Sequence, residues 1–279
     1  MSPPEWTVLY HMPGKMKGRG EFLRLMLEDS GTEYENTDEG LYGPEGLMDI
    51  FRGDNYEDIH AKNNADYPLL FPPALWHRPP DGGEAVLINQ VGACLVYLGD
   101  VLGYAPQTIQ EKARANAIMM NAIDYIADGR VSFHPVQNTM SYYKQKEEGD
   151  RVSKEFSQTR MIKYLYHFQK VVLVHGPQKP VAGGPHVTYA DFCLFHVLDA
   201  TQSQFNNDFY EHAWDRCAVP ALKEYHAWMK GRPNLQKYFA SDRCAGTWID
   251  VATVFVTHSL THSLTHSLTR SPQPSIRRQ

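Results

Sequence analysis

Apolar and polar positions follow two different periods along this chain. In the first hundred residues, short β-branched and aromatic runs alternate with an amphipathic stretch. Trp-Thr-Val-Leu-Tyr at 6–10 predicts a strand, closed by the breakers Pro13 and Gly14. Phe22, Leu23, Leu25, Met26 and Leu27 recur at helical spacing and predict a helix over 19–30 that Gly31 stops. Residues 33–37 read as a second strand, and 39–68 are acidic and glycine-rich, with a short helix expected near 45–51. Pro-Pro-Ala-Leu-Trp-His at 72–77 leads a third strand, 79–83 a turn and 85–88 a fourth strand; a helix follows over 90–98 and ends near Gly99.

The order β-α-β, then a helix, then β-β-α suits a small α/β domain. After a link near 103–106 helical periodicity takes over, with helices expected at 109–128, 152–174, 188–203, 218–229 and 233–240 and a Pro/Gly-rich loop at 176–185. That half reads as an all-α helical bundle. The expected division is 1–102 for the α/β domain, 103–250 for the bundle and 251–279 for a low-complexity tail. In the tail Thr-His-Ser-Leu repeats from Thr257. Its His258, His262 and His266 share one spacing but have no acidic or cysteine companion, so the tail predicts disorder and no metal site.

Composition changes the picture only by exclusion. A formal net charge of -5 favours neither nucleic acid nor an anionic membrane as partner. No apolar run approaches the ~20 residues that span a bilayer. The opening residues show neither a basic nor an apolar leader segment. Cys94, Cys193, Cys217 and Cys244 match no metal or disulfide spacing, and a reducing, cytoplasmic compartment is the expectation.

Five motifs in order then carry a resemblance. They are Tyr10 with Gly18-Arg19-Gly20-Glu21, Pro72-Pro73-Ala74-Leu75, Asn89-Gln90-Val91, Val187-Thr188-Tyr189-Ala190-Asp191-Phe192 and Gly231-Arg232-Pro233-Asn234-Leu235. Over residues 6–243 the chain resembles the cytosolic glutathione S-transferases of the Tyr type, Sigma-, Pi- and Alpha-like. The resemblance implies a thioredoxin-like N-terminal domain, an all-helical C-terminal domain, glutathione as co-substrate with no permanently bound cofactor, and a homodimer. It implies a detoxifying transferase that joins glutathione to small apolar electrophiles. A glutathione-dependent isomerase or peroxidase, or a catalytically weak binding or crystallin-like structural protein, are the alternatives.

The chemistry behind that resemblance is thiol activation. A thiol with a pKa of about 8.5 is only roughly 3% thiolate at pH 7. A phenol donating to the sulfur favours the anion, and lowering the pKa by about two units is worth about 2.7 kcal/mol. Tyr10 is the expected donor. His11 is second choice, because the spacing to Pro13 differs by one residue from the family pattern and neighbouring strand residues face opposite ways. Arg19 is implied either near glutathione or in a structural ion pair, and Lys62 as a basic contact. Pro73 is the implied cis-proline; Pro72 offers a carbonyl but no N–H, unless Pro72 is itself cis and Phe71 does the pairing. Gln90 and the N–H of Val91 would meet the γ-glutamyl carboxylate at a helix start, with Asn89 as helper or ordinary helix cap. Thr188 and Asp191 read as a structural capping box. Tyr125, Phe133, His134, Tyr142 and Tyr143 form either core or an electrophile wall beside 12–17.

Overall fold

The computed structural model describes residues 4–10, 16–37 and 69–244, and element labels run through these residues. The predicted short helix near 45–51, His11, Lys62 and the histidine repeat lie outside them. Trp6–Leu9 form β1, whose four residues are all buried. That pattern suits an inner strand, and β1 lies between β2 (Glu35–Thr37), which is parallel to it, and the antiparallel β3 (Ala74–His77). β4 (Val86–Asn89) pairs with β3 at the far edge, giving the order β2-β1-β3-β4. Register brings Trp6 opposite His77, and the two rings stack with centroids 3.7 Å apart.

Between β1 and β2 runs α1 (Glu21–Ser30), entered by a 3-10 turn at Gly18–Gly20. Gly31 ends it with φ 73°, the left-handed cap that the sequence predicted. The next helix, α2 (Val91–Leu102), runs past the expected stop at Gly99 and ends at Gly103. Gly99 is a packing position: a Cβ there would stand 2.7 Å from the ring of Tyr189.

The second half is helical among the described residues. α3 (Ile109–Phe133) opens on a Thr108–Glu111 capping box and runs five residues further than its pattern suggested. The helix expected over 152–174 is two, α4 (Lys146–Gln158) and α5 (Arg160–His175), because Thr159 leaves helical geometry at φ -124° and ψ -80°. α6 (Tyr189–Gln204), the short α7 (Ala213–Arg216), α8 (Pro220–Lys230) and α9 (Pro233–Phe239) complete the bundle. α6 is buried along nearly its whole length and packs on α1 as well as on α3 and α8, so it joins both halves.

The capping box of α6 forms as read. Its Asp191 carboxylate does more than cap: it accepts the Thr188 N–H at 2.7 Å, the Val181 N–H at 2.9 Å and the Tyr225 hydroxyl at 3.0 Å. These bonds tie the 176–187 loop and α8 to the start of α6. Burial raises the pKa of Asp191, and the same donors pull it back.

Polar pins cross between the halves at both ends of α1. At its C-terminal end Asp29 takes Arg232 through two bonds of 2.7 and 2.6 Å and the Tyr104 hydroxyl at 2.7 Å. At its N-terminal end His196 meets the Gly18 carbonyl at 2.9 Å, and Asp199 meets Lys17 at 2.9 Å.

Two stability outcomes are expected. Asp191→Ala removes the shared acceptor of four donors, the Thr188 hydroxyl included, and should cost about 3 kcal/mol or more in urea unfolding, with Asp191→Asn costing less. His196 is buried and its pKa is pushed down to about 3, so the unfolded chain binds its proton first as pH falls. Unfolding free energy should therefore decline from about pH 6.5 downward, by up to about 1.4 kcal/mol per pH unit from this group, and His196→Gln should flatten that slope.

Candidate active site at the N-terminal end of α1

Tyr10 follows directly on β1, and its N–H bonds the Thr37 carbonyl at 3.0 Å, which fixes the backbone against β2. The side chain is buried and lies along the turn that opens α1. Two glycines make that possible. A Cβ at Gly18 would stand 2.5 Å from the phenol oxygen, and one at Gly20 would stand 2.7 Å from the ring. Gly18 also sits at φ 45°, where a side chain is disfavoured. With the ring in place, the Arg19 N–H donates to Tyr10 Oη at 3.0 Å. Burial raises the pKa of Tyr10, and the Arg19 N–H, Arg24, Arg19 and Arg130 each work to lower it.

The turn is held from beneath. Arg24, 1% exposed, pairs with Glu21 at 2.7 Å and donates to the carbonyls of Met16 at 2.9 Å and Lys17 at 2.6 Å. Burial works against its charge, but the Glu21 carboxylate together with Tyr238 and Tyr34 outweighs that and the pKa of Arg24 rises. Tyr238 of α9 donates to the same Glu21 carboxylate at 3.0 Å. Asp199 is half-buried, and although desolvation works against its charge, His226 and Lys17 hold its pKa well below the usual carboxylate range. Arg19 touches Tyr10 through its backbone, and among the described residues its guanidinium makes no salt bridge.

At the other side of the sheet the Pro72–Pro73 peptide is cis, so the alternative with Pro72 as the cis residue is set aside. The Phe71 carbonyl accepts from Asn89 Nδ2 at 3.0 Å. Asn89 is the last residue of β4 and bridges back to that loop, which replaces the helix-cap reading. Gln90 is exposed and adopts φ 71°, ψ 115°, a rare backbone for a residue with a side chain. Val91 begins α2, so its N–H belongs to the first turn, where helix amides lack intrahelical partners.

Of the five candidates for an aromatic wall, Tyr125 and His134 are buried, Phe133 and Tyr142 are half-buried and Tyr143 is exposed. Tyr125 bonds Thr201 at 2.7 Å and packs on Phe156, Tyr164 and Phe168. Phe133 packs on Tyr142, Phe205 and Tyr210. His134 is buried and donates from Nδ1 to the Met140 carbonyl at 2.8 Å. Tyr142 bonds Asp150, and only Tyr143 is exposed. Sequence reading missed Glu21, Arg24, His196 and Asp199. The signal was there in part: Glu21 with Arg24, and His196 with Asp199, are three residues apart on helices, and charge in so apolar a run asks for a partner.

Comparison with known proteins bears on the fold that carries this arrangement. Residues 132–242 match the family model described as glutathione S-transferase, C-terminal domain. Over 123 residues the chain is 28% identical to glutathione S-transferase 2 of Onchocerca volvulus, covering 44% of this chain. The match spans about half of that relative, 54% of its length. Among solved structures, the Pi-class glutathione S-transferase of Onchocerca volvulus superposes with a TM-score of 0.56 at 20% identity, over 84% of this chain and 91% of that one. The sigma-class enzyme of Fasciola hepatica gives 0.61 at 17% identity, over 85% and 96%. The glutathione S-transferase of Ascaris lumbricoides gives 0.55 at 21% identity, over 85% and 97%. These structures share the fold across both halves. The second half thus matches the glutathione S-transferase C-terminal domain, and the chain shares the two-part fold of the solved glutathione S-transferases.

Proposed function

We propose that this protein conjugates the thiolate of glutathione to small apolar electrophiles, with Tyr10 as the hydrogen-bond donor to sulfur. The observation that carries the reading is the Tyr10 phenol, seated on Gly18 and Gly20 with the Arg19 N–H at 3.0 Å from its oxygen. An oxygen that accepts this bond carries a proton it can give to sulfur, and accepting strengthens it as a donor. The cationic groups felt at Tyr10, among them Arg19 and Arg130, favour negative charge nearby.

The tripeptide would lie along the sheet edge and across to α2. Pro72 contributes a carbonyl for main-chain pairing and lacks the N–H, while Gln90 and the α2 amides at Val91 take the γ-glutamyl carboxylate. Asn89 acts on this contact indirectly, by fixing the 71–73 loop. Once sulfur is anionic, it attacks the electrophilic carbon. The C–S bond forms as the electron pair moves onto the electrophile or its leaving group; with a chloronitrobenzene, chloride departs. The thiol proton has already gone to solvent. Tyr10 contributes by making the anion available near neutral pH, and the bound pair of reactants contributes by position. As in the family at large, we place this activity in a homodimer.

Retention on immobilised glutathione together with conjugation of a chloronitrobenzene tests the proposal. Retention without turnover would leave a binding protein, and absence of both a structural one. Tyr10→Phe should lower kcat/KM for conjugation by about 10–100-fold, in keeping with a thiol pKa shift of one to two units. Loss of activity in His11→Ala with full activity in Tyr10→Phe would move the role to His11. Gln90→Ala should raise the KM for glutathione by about tenfold or more while kcat holds, the mark of a lost hydrogen bond to a charged group.

A further inference from the structure

One peptide unit is bonded at both of its polar ends. The carbonyl of Gly18 meets His196 Nε2 at 2.9 Å, and the N–H of the same peptide, on Arg19, meets Tyr10 Oη at 3.0 Å. A carbonyl can only accept, so the imidazole carries its proton on Nε2 and is the donor. His196 lies on α6 in the helical half, whereas Gly18, Arg19 and Tyr10 lie in the sheet half. A side chain of one half thus reaches the tyrosine of the other through a single amide.

The geometry around His196 keeps it in that role. Its ring is 1% exposed and packs edge-on against Phe22 of α1, with centroids 4.2 Å apart. Three residues along the same helix, Asp199 holds Lys17 at 2.9 Å, next to the same turn. Arg24 fixes the Met16 and Lys17 carbonyls from the other side. The turn is therefore gripped at Met16, Lys17 and Gly18 in succession, and the Gly18–Arg19 amide has little freedom to rotate away from the phenol.

We propose that His196 is a positioning residue for thiol activation, acting through the Gly18–Arg19 peptide on the Tyr10 hydroxyl. The chain runs from imidazole N–H to carbonyl, from amide N–H to phenol oxygen, and from phenol O–H to sulfur. Each bond polarises the next in the same direction, so donation into the Gly18 carbonyl makes the Arg19 N–H a stronger donor, and that in turn makes the phenol a stronger donor to a thiolate. The inference rests on the reading of Tyr10 as the group that faces sulfur.

The test is the thiol pKa of bound glutathione, read from the ultraviolet absorbance of the thiolate in complexes of the full-length protein across a pH series. Tyr10→Phe should return the bound thiol toward about 8.5. His196→Leu, which removes the donor, should raise it by about half a unit. His196→Phe keeps a buried ring and serves where the Leu variant does not fold. His196→Gln places an amide N–H near the same point and should recover most of the native value. A merely structural histidine would affect melting temperature in the Leu and Phe variants with no effect on the bound thiol. A native thiol pKa in folded His196→Leu or His196→Phe overturns the proposal, as does a Gln variant that titrates like Leu. If Tyr10→Phe leaves the thiol unmoved, the reading of Tyr10 falls first and the relay falls with it. A shift in Tyr10→Phe alone rejects only the relay.

Discussion

A guanidinium cannot be taken out of water without acceptors around it, and Arg24 collects its acceptors from the segment just ahead of its own helix. It pairs with Glu21 one turn back and caps the carbonyls of Met16 and Lys17. Stripping one partner from such a buried pair costs about 3–5 kcal/mol, so the segment is strongly held in this shape. The shape matters because the following residues, Gly18 to Gly20, form the bed on which Tyr10 lies. A polar group buried for structural reasons thus fixes the backbone against which the Tyr10 phenol lies.

The helical half takes part in the same device. Tyr238 of α9 reaches Glu21, Asp199 of α6 reaches Lys17, and His196 of α6 reaches Gly18. At the other end of α1 the Asp29–Arg232 pair and Tyr104 hold the halves together. α1 is therefore clamped at both ends against the bundle, and the bundle is itself anchored by Asp191 at the start of α6. The site is assembled across the two halves even though its tyrosine comes from only one.

Local sequence was a good guide wherever the deciding interaction was local. Gly31 ended α1 as its position suggested, and Thr188 with Asp191 formed the box at α6. The guide failed where a distant ring or chain decided the outcome. Gly99 looks like a stop when read alone, but the ring of Tyr189, ninety positions on, needs the missing Cβ. Tyr125 has the composition of a substrate wall, and it became core because Phe156, Tyr164 and Phe168 close over it. Asn89 looks like a cap and instead bridges to Phe71, a contact invisible before β3 and β4 are paired.

The sequence by itself determined the two periodicities, the order of strands and helices, the glycines beside Tyr10 and the family resemblance. Those depend on neighbours within a few residues, whose geometry the backbone imposes. Only the tertiary structure decided that Arg19 serves Tyr10 through its amide and that His196 touches the same peptide from 178 positions away. Hydrogen bonds between distant segments carry no period and leave no pattern along the chain. They exist only once packing has brought buried donors and acceptors face to face, where each must find a partner.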